Sequence, residues 1–179
     1  SAAMEATIAN TVEPGETVVV GVIGSFGKRL VDMCGRYGAK VVEVSAPWGE
    51  ALSLDTLTQA VEQHKPAVLA LVHAETSTGV QQPLDGIGDL CRAHDCLLLL
   101  DTVTSLGGVP LKLDEAKVDL AYSCSQKGLS CPPGLGPFTM GPRAEEKLDR
   151  RSGKVPNWYL DMSGLKSYWG SQRTYHHTA

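Results

Sequence analysis

Lys127 and Asp101 are the two residues whose types and positions suggest chemistry. Lys127 follows Val118-Asp-Leu-Ala-Tyr122, a short apolar run that reads as a buried strand, so its amine belongs at a strand's C-terminal end and not on a solvated helix face. Asp101 closes a second apolar run, Cys96-Leu-Leu-Leu-Leu100. Open α/β sheets bind ligands outside the carboxyl ends of their strands. An amine there can form a Schiff base, and an ionised carboxylate can keep a pyridinium nitrogen protonated. Pyridoxal 5'-phosphate (PLP) chemistry asks both of a protein. Alone, an Asp at a strand end is most often a cap and a loop Lys is most often solvated, so their weight is joint.

The elements that would position them alternate along the chain. Strand signals fall at Thr17-Val-Val-Val20, Lys40-Val-Val-Glu-Val44, Pro66–Val72, Cys96–Leu100, Val118–Tyr122 and Pro137-Phe-Thr-Met140. Helical patterns cover Ala2–Ala9, the stretch up to Tyr37 closed by Gly38, Ser53–Gln63 with Leu54, Leu57 and Val61 as its apolar stripe, Leu84–His94 and Arg143–Arg150. Strand and helix alternating through short loops predict an α/β fold, a mostly parallel sheet with helices on both faces. Parallel strands then bring Asp101, Lys127, the polar cluster His73-Ala-Glu75-Thr76 and the Gly24–Phe26 turn to one edge, where His73 is placed to line the site. Phe26 can stack on a cofactor ring and Thr76 can bond a ring hydroxyl. Ser1 can cap the first helix, leaving N–H groups at its start to seat a phosphate.

The rest of the composition narrows the classes. The chain has 179 residues, a net charge of -4 and 42% hydrophobic residues. Nothing in that balance invokes nucleic acid or an anionic membrane. No apolar run reaches a membrane span and the N-terminus does not read as a signal peptide. The five cysteines are odd in number and lack a C-x-x-C pair, and no histidine has metal spacing, so neither a disulfide framework nor a metal site is expected. A reducing, intracellular setting is the simple reading; cytoplasm, mitochondrion and peroxisome are all open. The ends, Ser1-Ala-Ala-Met and Tyr175-His-His-Thr-Ala179, read as those of a fragment. From Ser152 the periodicity dissolves around Trp158 and Trp169, which suggests a partner surface or a segment (152–179) leading toward a further domain. Gly21-Val-Ile-Gly24-Ser-Phe-Gly27 with Glu43 downstream offers a competing reading as a nicotinamide-binding oxidoreductase, though its glycine spacing is G-x-x-G-x-x-G.

Ser-Gln-Lys127 with its Pro-Pro-Gly turn, Leu-Leu-Leu-Asp101 followed by Thr-Val-Thr-Ser-Leu-Gly-Gly, His73-Ala-Glu-Thr-Ser-Thr-Gly-Val and Tyr175-His-His-Thr178 together resemble the class V aminotransferases, and within them the alanine–glyoxylate (serine–pyruvate) group. The resemblance runs along the whole chain in order. It implies the large, PLP-binding domain of PLP fold type I over residues 1–179, incomplete at its N-terminus and without the C-terminal small domain. It also implies a homodimer with a shared active site, and substrates that are a small amino acid (alanine or serine) and a 2-oxo acid (glyoxylate or pyruvate). By position, it makes Lys127 the Schiff-base lysine and Asp101 the pyridinium partner. Phe26 and Val103 would take the two ring faces, Thr76 the ring oxygen, and Gln126, Ser1 and Ala2 the phosphate, with Tyr175 and Thr178 reaching the other subunit's cofactor. Phe26 departs from the Trp common at that position in close relatives. The arginine expected for the substrate carboxylate would lie past Ala179. A cysteine desulfurase-like enzyme resembles the chain less, because Gln126 and Phe26 stand where that branch carries histidine. A truncated piece serving only in interactions is the remaining alternative.

Overall fold

The computed structural model describes residues 1–169, with side chains described through residue 165. Helix α1 (Ala2–Thr11) leads into β1 (Thr17–Val22), α2 (Ser25–Arg36), β2 (Lys40–Ser45), α3 (Leu54–His64) and β3 (Val68–Val72). A small hairpin follows, β4 (Ala74–Glu75) with β5 (Val80–Gln81), then α4 (Ile87–Ala93), β6 (Leu97–Asp101) and β7 (Leu120–Tyr122). The chain closes with β8 (Phe138–Met140), α5 (Pro142–Asp149), a 3₁₀ turn at Trp158–Leu160 and α6 (Met162–Trp169).

The main sheet runs β2-β1-β3-β6-β7-β8. Its first five strands are parallel, and β8 closes one edge antiparallel to β7. Strands β3, β6 and β7 are buried at every position because both faces are covered. On one face Met4 and Ile8 of α1 and Leu30 and Cys34 of α2 pack on Val18, Val20, Leu99 and Tyr122. On the other, Leu57 and Val61 of α3 and Ile87 and Cys91 of α4 pack on Val19, Leu69, Leu98 and Leu100. The α/β architecture read from the sequence is therefore present, with a C-terminal sheet edge that gathers the loops after β1, β3, β6 and β7.

Several boundaries differ for local reasons. Leu54 is 41% exposed, so Leu57, Ala60 and Val61 carry the buried face of α3. Helix α4 starts at Ile87, not Leu84, because Gly86 takes φ +77° and turns the chain there. The Ser53 cap is made: its hydroxyl accepts from Thr56 N at 3.1 Å. The Ser1 cap is not, for its side chain makes no capping hydrogen bond. Residues 152–165 are laid against α1 by Asn10, which donates to Leu160 O (2.6 Å) and accepts from Met162 N (2.9 Å). Val155, Leu160 and Met162 bury there, while Trp158 and Tyr159 stay exposed.

One buried ion holds the edge of this sheet. Asp119, 2% exposed, accepts from Leu98 N at 2.9 Å and from Arg143 Nη1 at 2.9 Å, with Arg92 Nη2 at 3.3 Å. It ties β7 to β6 and to α5 through one carboxylate. Removing it strands both a backbone N–H and a half-buried guanidinium. Asp119→Ala is expected to cost roughly 2–4 kcal/mol, discounted for the exposure of the two arginines, in equilibrium urea unfolding. A loss below about 0.5 kcal/mol, the level of an ordinary surface change, would show that the tie is not structural.

Candidate active site

Strand β6 delivers Asp101 as its last residue, and the register pairs it with Tyr122 of β7. The carboxylate is 3% exposed. Val103 N donates to its Oδ1 at 2.8 Å and Tyr122 Oη donates to its Oδ2 at 2.7 Å. Burial pushes the Asp101 carboxyl above its ordinary pKa, while the bonds from Val103 and Tyr122 pull it back. No cation pairs with it among the described residues. It faces a cavity of about 190 Å³ lined by Ser1, Phe26, Arg29, Thr76, Asp101, Val103, Gln126 and Lys127 along with neighbouring backbone and side chains.

The loop that carries Lys127 is fixed through its backbone. Ser125 Oγ donates to Pro132 O (2.6 Å), Cys131 N to Ser125 O (3.0 Å) and Ser130 N to Lys127 O (2.9 Å). A Cβ on Gly128 would sit 2.8 Å from Gly108 N, so this loop and the Thr102–Gly108 turn meet backbone to backbone. Gly107, at φ +81°, makes the approach possible. The Lys127 side chain itself is exposed and makes no hydrogen bond or ion pair among the described residues.

Phe26 is placed by an unforeseen clamp. Glu75, 1% exposed, reaches across from β4, and its Oε2 accepts from Phe26 N (3.0 Å) and Gly27 N (3.2 Å) at the start of α2. Its Oε1 accepts from Ser77 N (3.1 Å) and Ser77 Oγ (2.7 Å), and Ser77 Oγ in turn accepts from Ser25 N (2.9 Å). A Cβ on Gly24 would collide with Glu75 and lie 2.5 Å from Ser77 Oγ, so only glycine fits beneath the clamp. This overturns the dinucleotide reading: the N–H groups that would hold a pyrophosphate already hold a carboxylate. Glu43, the presumed ribose acid, pairs with Lys28 at 2.5 Å.

The structure thus brings seven of the expected residues to one cavity: Lys127, Asp101, Val103, Phe26, Thr76, Gln126 and Ser1. Ala2 sits at the helix start but does not line it. Tyr175 and Thr178 lie outside the described residues. His73 was expected to line this site and does not: it turns to a second groove beside Gln81 and Gln82, where burial lowers its pKa and its Nδ1 has no partner. Tyr122 and Arg29 went unread. Tyr122 looked like one more apolar strand residue, and only its register with Asp101 reveals the hydroxyl's place. Arg29 lies one helical turn after Phe26, with its guanidinium 4.8 Å from the ring centroid.

Residues 1–161 match the family described as Aminotransferase class-V. The chain belongs to the class V aminotransferases. An alanine–glyoxylate aminotransferase of Callithrix jacchus is 43% identical across 98% of this chain and 43% of its own length. An (S)-ureidoglycine–glyoxylate transaminase of Bacillus subtilis is 36% identical across 99% of this chain and 47% of its own length. A crystal structure of an alanine–glyoxylate aminotransferase from Nostoc sp. superposes with a TM-score of 0.96 at 68% identity, covering 99% of this chain and 47% of that one. The chain therefore spans less than half the length of the curated relatives it matches. Class V aminotransferases are PLP-dependent and share fold type I. The residues present fit that cofactor: among the described residues the buried carboxylate has no ion-pair partner, which suits a pyridinium N–H, and a lysine amine likewise unpaired shares its cavity.

Glu75→Ala removes the four hydrogen bonds of the clamp and is expected to destabilise the protein by roughly 2–3 kcal/mol in urea unfolding. It should also weaken PLP binding by freeing Phe26, with Glu75→Gln in between because one acceptor oxygen survives. PLP titration of the three proteins checks the order, and equal affinities would separate the clamp from the site.

Proposed function

We propose that this chain is the cofactor-binding part of an aminotransferase that moves an amino group between a small amino acid, alanine or serine, and glyoxylate or pyruvate. The observation that carries the reading is the meeting in one cavity of a buried Asp101 and a Lys127, each without an ion-pair partner among the described residues, beside Phe26. The names of the relatives favour glyoxylate, since the alanine and ureidoglycine enzymes share it. When bound, PLP supplies an aldehyde that bonds amines and a ring that takes up electrons from the substrate's α-carbon.

The chain's own residues divide the remaining work. Lys127 would hold the cofactor through its amine, and that amine, when free, would move the proton at the substrate's α-carbon as base and acid. Asp101 keeps the ring nitrogen protonated, so the ring draws electrons. Phe26 and Val103 would pack against the ring and keep water from it. Thr76 bonds the ring oxygen. Gln126 and the first turn of α1, whose N–H groups have no intrahelical partner, take the phosphate. Tyr175 and Thr178 complete the phosphate site of a second copy in the homodimer this reading calls for.

Borohydride reduction of the full-length protein loaded with PLP, followed by peptide mapping, tests the reading. The expected result is a phosphopyridoxyl adduct on Lys127, absent from Lys127→Ala, with transamination of alanine and glyoxylate lost by roughly a thousand-fold or more in the variant. An adduct on another lysine, or none, would sink it.

A further inference from the structure

We propose that Tyr122 is a positioning residue: its buried phenol, donating to Asp101 Oδ2, holds the carboxylate oriented and ionised for the cofactor's ring nitrogen. The inference rests on the PLP reading of this site and goes beyond it in naming the group that makes Asp101 fit for its task.

Tyr122 is 2% exposed and its ring packs in the layer of Met4, Ile8 and Leu30. A phenylalanine would fill that layer without a polar atom to satisfy. The hydroxyl is there at a desolvation cost, offset by the 2.7 Å bond to Asp101. It acts as a donor, because burial and the facing carboxylate push its own pKa far above the usual phenol range. Val103 N donates to the other oxygen. With a donor on each oxygen, the arrangement rewards the anion over the neutral acid, and it leaves further lone pairs for a ring N–H. It does so against opposition. Burial favours the neutral acid and Glu75 of β4 adds a second negative charge nearby, while the positive charge of the N-terminal amine works the other way. Of the other groups on this side, Arg29 of α2, the Lys127 loop and Ser1 line the cavity, and the Cys34 thiol of α2 lies near the phenol. None of these makes a hydrogen bond or ion pair with Asp101 among the described residues. The lone side-chain donor to that carboxylate among those residues is Tyr122.

The strand pairing makes this contact a consequence of register. Asp101 and Tyr122 are partners across two parallel strands, so their side chains leave the sheet on one face at one level. A slip of one residue would turn the phenol to the α3–α4 side and leave the carboxylate with one donor.

Tyr122→Phe, loaded with PLP labelled with ¹⁵N at the ring, removes one O–H and keeps the ring. The ring-nitrogen resonance is expected to move toward the unprotonated pyridine position at neutral pH, and kcat to fall roughly ten-fold with KM changed less than about two-fold. Borohydride should still trap Lys127 as in the wild type. An unmoved resonance with an unchanged kcat would overturn the role while leaving the PLP site standing. Absence of a Lys127 adduct in the wild type would sink the PLP reading and this role with it. If the phenylalanine variant does not fold, 3-fluorotyrosine at position 122 gives a stronger donor, expected to move the resonance the opposite way. No movement in that protein would overturn the proposal equally.

Discussion

Asp101 is an acid, charged once ionised, at the end of a strand that is buried at every position, flanked by parallel strands on both sides. Such a charge is costly unless its oxygens are satisfied and a counter-charge is supplied. The fold provides the first requirement from within, through Val103 N and Tyr122 Oη. It leaves the second open toward a cavity. That imbalance is the reason to read the site as a cofactor site and not as a structural ion pair. Asp119 is the contrast within the same molecule. It is as deeply buried, yet two arginines and a backbone N–H surround it.

The two helices that begin near the site meet the same electrostatics in opposite ways. Each presents free N–H groups at its start and so favours an anion. At α2 the anion is Glu75, brought across 49 residues of sequence, and the consequence is a fixed Phe26. At α1 the Ser1 side chain makes no cap, so its hydroxyl does not occupy those N–H groups. One helix end is capped by a carboxylate from β4, and the other has no side-chain cap. The glycine-rich turn before α2 follows from the first choice. Gly24 is glycine because Glu75 and Ser77 occupy the space a side chain would need.

What could be read in the sequence was what depends on residue type and short-range pattern. The valine and leucine runs marked β1, β3 and β6, and their alternation with helices marked a parallel sheet. That placed Asp101 and Lys127 at one edge before any coordinates. Phe26 and Thr76 followed from the same logic. What could not be read depends on partners distant in the chain. Glu75 looked like a polar loop tip, because nothing local shows that it will bond Phe26 N. Tyr122 looked like core, and in its ring it is core; its hydroxyl reaches Asp101 only through the register of β7 against β6. His73 failed for a related reason. It follows β3 directly, but the turn into the β4–β5 hairpin carries its ring away from Asp101, although its backbone N–H bonds Asp101 O at 3.0 Å.

Lys127 completes the logic by where it is not held. In the proposed role, a lysine that bonds a cofactor and carries a proton has a free amine and a closely placed backbone. The loop meets both demands by spending its restraints on the main chain. Ser125 bonds on either side of the Pro132–Pro133 turn, through Pro132 O and Leu135 N, and the Gly107–Gly128 contact brings two backbones closer than any side chain would allow. Those same glycines join the lysine loop to the turn that carries Val103. The loop that carries Lys127 and the turn that carries Val103 are therefore parts of one backbone-to-backbone joint. A change at Gly107 or Gly128 would move both at once, which makes these glycines part of the site although neither presents a side chain to it.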